Sequence, residues 1–144
     1  MREKGLTLAQ RVFICFGAGV IGGLAVVLFG VVLFELGLSA LFGVKAPASF
    51  SPPDIYRPLF WGGLWGIPFG FIIKAAWKRL YFYGFLYFFA PVAALYLYFL
   101  PMRGAGYFGF EQGGPLFTLY LLIVNLPYGI VTALVAREII GKNP

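Results

Sequence analysis

The chain has 144 residues, of which 61% are hydrophobic, 20% aromatic and 11% charged, and its mean hydropathy is +0.90. A water-soluble globule of this size is excluded, because typical globular domains are about 25% charged and about 45–50% apolar. Four stretches of about 20 mostly apolar residues alternate with short segments rich in Gly, Pro and charge. This pattern predicts a helical integral membrane protein whose main surroundings are the lipid bilayer.

The composition also argues against several kinds of chemistry. The chain has no histidine, one cysteine (Cys15) and five acidic residues, so the usual nucleophile–base pairs and the usual zinc, iron or haem ligand sets cannot be assembled. We therefore predict a protein that is not an enzyme and has no metal or other cofactor. Cys15 cannot form an intramolecular disulfide and is interpreted as a buried apolar thiol.

The formal net charge of +6 is spread over the loops rather than gathered on one soluble face, which argues against a nucleic-acid partner. The first apolar run begins at Val12 and extends over about 23 residues, beyond the core of about 7 to 15 residues in a cleavable signal. We expect it to remain as the first membrane helix.

We predict a single all-α transmembrane domain that covers residues 1–144 and contains four helices. The predicted spans are residues 12–38, 59–77, 80–100 and 116–136. Eight basic residues lie on one side of the spans and three on the other. The eight are Arg2, Lys4, Arg11, Lys74, Lys78, Arg79, Arg137 and Lys142, and the three are Lys45, Arg57 and Arg103. By the positive-inside rule, both termini are predicted to be cytoplasmic, in the inner membrane if the protein is bacterial.

Glycines recur along one face of each of the first two predicted spans. They are Gly19, Gly23 and Gly30 in the first span and Gly62, Gly66 and Gly70 in the second. Faces without side chains let two backbones approach closely, so we expect these two helices to pack against each other. The alternative is that the glycines line a pore.

The third predicted span is unusually aromatic, with ten Phe and Tyr residues between positions 81 and 99. One interpretation is a helix that faces lipid or a partner. The other is a stacking surface for a flat ligand such as a quinone or a pigment, although the chain has no histidine to ligate a haem iron or a chlorophyll magnesium in the ordinary way.

Two similar sequences begin the second and the fourth predicted spans. Residues 58–60 (Pro-Leu-Phe) precede 68–70 (Pro-Phe-Gly), and residues 115–117 (Pro-Leu-Phe) precede 127–129 (Pro-Tyr-Gly). The two predicted helices run in the same direction, so this pattern fits two parallel helical hairpins related by repetition. Chance similarity is the alternative.

Pro68 and Pro127 are predicted to kink their helices near the middle of the bilayer. Asn125 is the only strongly polar side chain expected at that depth, and it must find a hydrogen-bond partner. We expect a structural bond to a freed backbone carbonyl or to another helix. The alternative is a midplane solute site formed by Asn125 with Pro68 and Pro127.

Four charged residues are predicted at the outer interface: Glu35, Arg57, Arg103 and Glu111. The apolar run before Glu35 is long enough to cross the hydrocarbon core, so Glu35 is expected at the interface. We therefore expect Glu35 to pair with Arg57 or Arg103 rather than to carry protons. The glycine-rich loop 102–115 is interpreted as an interfacial cap, with a re-entrant loop as the alternative.

Residues 56–66 (Tyr-Arg-Pro-Leu-Phe-Trp-Gly-Gly-Leu-Trp-Gly), the loop ending in residues 114–117, and Asn125 with Tyr128 and Gly129 resemble a family of small, uncharacterised four-span bacterial membrane proteins. The resemblance covers the second to fourth spans and implies a shared fold without assigning a catalytic or binding residue.

Three hypotheses for function follow. The first is a non-enzymatic protein that works by helix–helix association, as a homo-oligomer or as an accessory subunit of a membrane complex. The second is a small oligomeric channel or transporter for a neutral or weakly polar solute. The third is binding of a quinone or a pigment.

Overall fold

The computed structural model describes residues 5–47, 49–142 and 144, and every regular element among them is helical. In chain order the α-helices are α1 (Leu8–Glu35), α2 (Tyr56–Ala76), α3 (Leu80–Tyr87), α4 (Phe89–Ala94), α5 (Leu100–Met102), α6 (Phe110–Asn125) and α7 (Pro127–Ile140). A π-helical segment, Leu95–Phe99, joins α4 to α5, and 3₁₀ turns cover Ser39–Phe42, Trp77–Arg79 and Tyr107–Gly109. The predicted all-α class is confirmed.

Three helical stretches are long and apolar enough to cross a membrane, in place of the four that were predicted. They are Leu8–Glu35, Tyr56–Met102 and Tyr107–Ile140. The second stretch has 47 residues and contains both the second and the third predicted spans. The prediction of four separate helices is wrong in this respect, because Trp77–Arg79 continues as a 3₁₀ turn instead of forming a loop.

The 47-residue stretch nevertheless reverses its direction. Arg79 leaves the helical region, with φ −130° and ψ 43°. Beyond it, the Tyr87 hydroxyl donates a hydrogen bond to the Trp65 carbonyl at 2.5 Å, and the rings of Trp61 and Phe99 lie 4.7 Å apart. Helix α2 and the segment from α3 to α5 therefore lie antiparallel.

Helix α1 begins earlier and ends earlier than predicted, because local hydrogen bonds set both ends. The Gln10 amide N–H donates to Thr7 Oγ1 at 3.3 Å and the Thr7 amide N–H donates to Gln10 Oε1 at 2.8 Å, which is a capping box. At the other end Gly37 adopts φ 74°, and the Leu38 amide N–H donates to the Leu33 carbonyl at 2.9 Å.

Helices α1 and α2 approach each other backbone to backbone. A Cβ atom on any of five glycines at this crossing would press into the backbone of the other helix. They are Gly19, Gly23, Gly62, Gly66 and Gly70. At Gly66 the added Cβ would collide with the carbonyl oxygen of Cys15. Gly30, near the other end of α1, is also buried.

A second close crossing joins α3 to α7. A Cβ on Gly129 would collide with the carbonyl oxygen of Gly84, and a Cβ on Gly84 would lie 2.5 Å from the Cβ of Ala133. Gly70, which occupies the matching place in the similar Pro-Phe-Gly triplet, lies against the backbone of Val12. Each triplet thus places its glycine against a neighbouring antiparallel helix.

The bundle has two distinct ends. The termini end contains Gly5, Pro144 and the turn Trp77–Arg79, and the Arg137 guanidinium there lies 5.8 Å from the Trp77 ring and 5.2 Å from the Tyr81 ring. The loop end contains residues 36–47, 49–55 and 103–109. Near the termini end the core is tightly filled by buried side chains. They are Cys15, Ala18, Phe69, Ile73, Ala76, Leu80, Ala133 and Ala136.

Breaks in the helical stretches accompany Pro91, Pro115 and Pro127, and the one before Pro115 lies at Gly114, with φ 67° and ψ −164°. The helix breaks at Leu126 directly before Pro127, and at Phe88 shortly before Pro91. Helix α2 runs unbroken through Pro68, so the expected disruption is present at Pro127 and not at Pro68. Pro68 is exposed, on the side of α2 away from the glycine crossing.

The glycine-rich segment after α5 folds into an ordered cap at the loop end. Phe108 adopts φ 59°, its carbonyl accepts a hydrogen bond from Thr118 Oγ1 at 2.5 Å, and its ring lies 5.4 Å from that of Tyr96. Ala105 is buried beneath it. This segment covers one side of the π-helical segment.

The close crossing of α1 and α2 predicts the effect of one added methyl group. A Gly66→Ala variant should lower the free energy of unfolding by about 1–3 kcal/mol, because the new Cβ forces the two backbones apart. Thermal unfolding of the purified protein in detergent measures this effect.

Gly17→Ala is the matched control, because a Cβ on Gly17 of α1 has no neighbour within 4 Å. This variant should unfold at or slightly above the temperature of the parent, since alanine is the better helix former. If both variants unfold like the parent, the backbone contact of α1 with α2 is wrong.

Candidate ligand-binding cavity

A cavity of about 420 Å³ lies between the helices and opens at the loop end. Its volume falls within the range of about 300–1,000 Å³ that is typical of small-molecule sites. The walls come from α1, α2, the segment from α4 to α5, and the helices on either side of Leu126. The cavity therefore lies where these helices meet, between the tightly filled core and the loop end.

Aromatic and aliphatic side chains form the walls. Trp61 and Trp65 come from α2, and Leu95 and Phe99 come from the π-helical segment opposite. The Trp61 and Phe99 rings meet edge to face with centroids 4.7 Å apart. These rings close the gap between α2 and the π-helical segment, so one pair of side chains forms the wall there.

The π-helical segment explains why space opens at this level. Pro101 has no amide N–H and its ring crowds the carbonyl four residues earlier, at Leu97, which lies inside the π turn over Leu95–Phe99. Leu95 and Phe99 of this turn, together with Pro91, line the cavity. Irregular backbone within a membrane helix is tolerated where it lines a cavity, and π turns often occur at functional sites.

The floor of the cavity is polar. The Asn125 side chain donates from Nδ2 to the Leu121 carbonyl of its own helix at 2.7 Å, and Asn125 also lines the cavity. Tyr128, which is 4% exposed, donates from its hydroxyl to the Gly62 carbonyl at 2.6 Å. The Tyr128 bond joins α7 to α2, whereas the Asn125 bond is local.

The rim of the cavity is charged. Asp54 precedes α2, Arg57 lies in its first turn, and Arg103 follows α5, and all three are exposed and line the opening. Arg57 and Trp65 are eight residues apart on α2, so at about 1.5 Å per residue the rim lies roughly 12 Å above Trp65. The cavity therefore extends from the bundle surface toward its middle.

The structure brings together some of the predicted site residues and separates others. Asn125, Arg57 and Arg103 line the cavity, and so do Gly23 and Gly62 of the glycine crossing. Pro68 and Pro127 are not part of its lining. The hypothesis of a solute site formed by Asn125 with these two prolines therefore does not match the geometry, because only Asn125 of the three lines the cavity.

Glu35 and Glu111, the other predicted interface charges, also lie apart from the cavity. Glu35 is the last residue of α1, and the described residues give it no ion pair with Arg57 or Arg103 within 4 Å. The expected pairing is therefore absent. Glu111 lies in the first turn of α6, beside Gly106, where it belongs to the loop-end cap.

Sequence reasoning missed three features of this site. Asp54 is expected where a helix emerges from the membrane, but its place on a cavity rim with Arg57 has no signal in the sequence. The π turn has no sequence signature apart from Pro101, which follows it. Gly22 was not identified as a packing residue, yet a Cβ there would lie 3.0 Å from the Tyr128 carbonyl. Gly22 lets α1 approach α7 beside the floor.

No group of three or more His, Cys, Asp or Glu side chains within the described residues is arranged to hold a metal ion.

Comparison of the chain with protein-family models gives no match. No match is found among curated proteins, and none among solved structures. The resemblance to small four-span bacterial membrane proteins stays a prediction.

The two polar residues of the floor should differ in their effect on stability. Tyr128→Phe should lower the free energy of unfolding by about 0.5–1.5 kcal/mol, because it removes the hydrogen bond that joins α7 to α2. Asn125→Leu should change it by less than about 0.5 kcal/mol, because the polar group and its local bond are removed together.

Tyr98→Phe is the control for loss of a hydroxyl, since Tyr98 is 61% exposed and should tolerate the change. Chemical denaturation in mixed micelles compares all three variants. A Tyr128→Phe protein as stable as the Tyr98→Phe protein would show that the bond to Gly62 contributes nothing.

Proposed function

We propose that this protein is a non-enzymatic membrane protein that binds a small amphiphilic molecule in the loop-end cavity. The observation that supports this proposal is the combination of a charged rim, aromatic walls and a polar floor in one cavity. Ligand sites typically combine a largely apolar lining with a few convergent polar groups. An amphiphile matches this arrangement with its polar group at the rim and its apolar part between the walls.

Binding is favoured over an open channel because the cavity is closed at its inner end. Phe69, Ile73 and Leu80 are each no more than 1% exposed and fill the space between the helices near the termini end. A continuous pore for a solute has no room in this packing. Transport of the bound molecule would require the tight core to open.

Association with other chains is less well supported than it was from the sequence alone. The glycine faces that suggested association are covered within the chain, where α1 meets α2 and α3 meets α7. They therefore supply no reason to place a partner on the outside. The exposed surface of the spans is rich in large apolar side chains, for which lipid is a sufficient neighbour.

We further propose four membrane crossings, arranged as two helical hairpins, with the termini end in the cytoplasm. This arrangement is supported by the reversal at Arg79 and by the distribution of charge. Six described basic residues and one acidic residue lie at the termini end, a net charge of +5. They are Arg11, Lys74, Lys78, Arg79, Arg137 and Lys142, with Glu138. The loop end has three of each sign and a net charge of zero; Arg2 and Lys4 lie outside the described residues.

The binding proposal is tested by filling the cavity. The protein is purified in a mild detergent, and native mass spectrometry measures any small molecule that remains bound. We expect the parent to retain a bound molecule and a Leu95→Trp variant to lose it, because the larger ring occupies the space between the walls.

Leu97→Trp is the matched control, because Leu97 lies in the same π-helical segment and is 55% exposed. Val26→Phe fills the cavity from α1 and should also lose the bound molecule. Loss in both variants would show that the effect is not specific to the substitution at Leu95. Equal retention by the parent and both filled variants, or a parent without any bound molecule, would overturn the proposal.

The topology is tested by cysteine labelling in intact cells. In a Cys15→Ala background, a thiol reagent that does not cross the membrane should label Glu111→Cys and leave Lys142→Cys unlabelled until the cells are opened. Labelling of both positions from outside, or of Lys142→Cys alone, would contradict the proposed orientation.

A further inference from the structure

We infer that the occupant of the cavity is an anionic lipid of the leaflet at the loop end, which places its headgroup between Arg57 and Arg103 and part of one acyl chain between the aromatic walls. This inference rests on the proposed binding function and names its ligand class. It depends on three observations: the charge of the rim, the size of the cavity and the nature of its side wall.

The rim favours a ligand with net negative charge. Its charged side chains are Arg57, Arg103 and Asp54, with a net charge of +1. Among the described residues neither arginine forms an ion pair with Asp54 within 4 Å. Both guanidinium groups are therefore available to donate hydrogen bonds to a phosphate, whose geometry matches the planar fork of arginine.

The size of the cavity limits how much of a lipid can enter. A volume of about 420 Å³ equals that of about 14 water molecules at about 30 Å³ each. This space accommodates a headgroup and the first part of one chain, but not a complete lipid with two chains. The remaining chain must lie outside the bundle, so the ligand has to bridge the cavity and the bilayer.

The side wall between α2 and the π-helical segment allows such bridging. Helix α2 and this segment are not closely packed along their backbones, and the Trp61 and Phe99 rings span the gap. Trp61 is 40% exposed and also lines the cavity. A rotation of two side chains therefore opens a path for a chain from the bilayer, without any movement of the helices.

Quenching of tryptophan fluorescence by brominated lipids tests this inference. Trp61 and Trp65 line the cavity, and a Trp77→Phe background removes the third tryptophan, which lies at the termini end. The protein is reconstituted in phosphatidylcholine vesicles that contain increasing fractions of phosphatidylglycerol or phosphatidylcholine brominated on the acyl chains. We expect the brominated phosphatidylglycerol to reach half-maximal quenching at about a tenfold lower mole fraction.

The Arg57→Gln/Arg103→Gln double variant should lose this preference. Lys78→Gln/Arg79→Gln is the matched control, because it removes the same charge at the termini end, and it should keep the preference. A preference retained in the first double variant, or lost equally in both, would overturn the role of the two rim arginines.

Two further outcomes would overturn the lipid assignment. Equal quenching by the two brominated lipids would exclude selection for negative charge. A shift of the tryptophan emission by inorganic phosphate in pure phosphatidylcholine vesicles would identify a soluble anion as the ligand. Neither outcome affects the mass-spectrometric test with Leu95→Trp, so the binding function can stand when the lipid assignment fails.

Discussion

The approach of α1 to α2 without intervening side chains is the constraint on which the rest of the structure depends. Lipid provides no hydrophobic force between helices, so close van der Waals contact and interhelical hydrogen bonds must hold the bundle together. The glycine crossing provides the contact and also exposes the carbonyl of Gly62, which then accepts the Tyr128 hydroxyl from α7. Because no side chain covers this carbonyl, α7 can be held to α2 by a hydrogen bond. Because α1 and α2 lie so close along the glycine crossing, the cavity opens instead toward the aromatic segment that faces α2.

In that aromatic segment, the part with an irregular backbone is also the part that lines the cavity. A regular helix from Leu80 to Met102 would keep the same backbone geometry along its whole length. The break at Phe88 and the π turn over Leu95–Phe99 change that geometry within one segment. The regular part, around Gly84, packs tightly on α7, and the irregular part moves away to form the cavity wall. One continuous segment therefore packs closely on α7 near one end of the bundle and lines the cavity near the other.

Hydropathy predicts the positions of the apolar segments well, because burial in lipid depends on local composition. Hydropathy does not predict that Trp77–Arg79 remains helical, since a 3₁₀ turn and a short loop of the same charged residues look alike in sequence. The four-residue spacing of Gly62, Gly66 and Gly70 is itself enough to predict a packing face. Gly84 and Gly129 are single glycines whose importance appears only when their partner helix is known. Likewise, Arg57 and Arg103 lie far apart in the chain, and their position across one opening depends on the reversal at Arg79.

The tightly filled core near the termini end has an electrical consequence. If water filled the cavity to its inner end, the cavity would have nearly the potential of the solution outside, and the membrane voltage would fall mainly across the packed half around Phe69, Ile73 and Leu80. A full elementary charge moved through 100 mV changes energy by about 2.3 kcal/mol. A charge resting between Arg57 and Arg103 crosses almost none of that drop. Occupancy of the cavity should therefore be insensitive to whether the cell is polarised, and any process that carried a charge past the packed half would be driven by nearly the whole voltage.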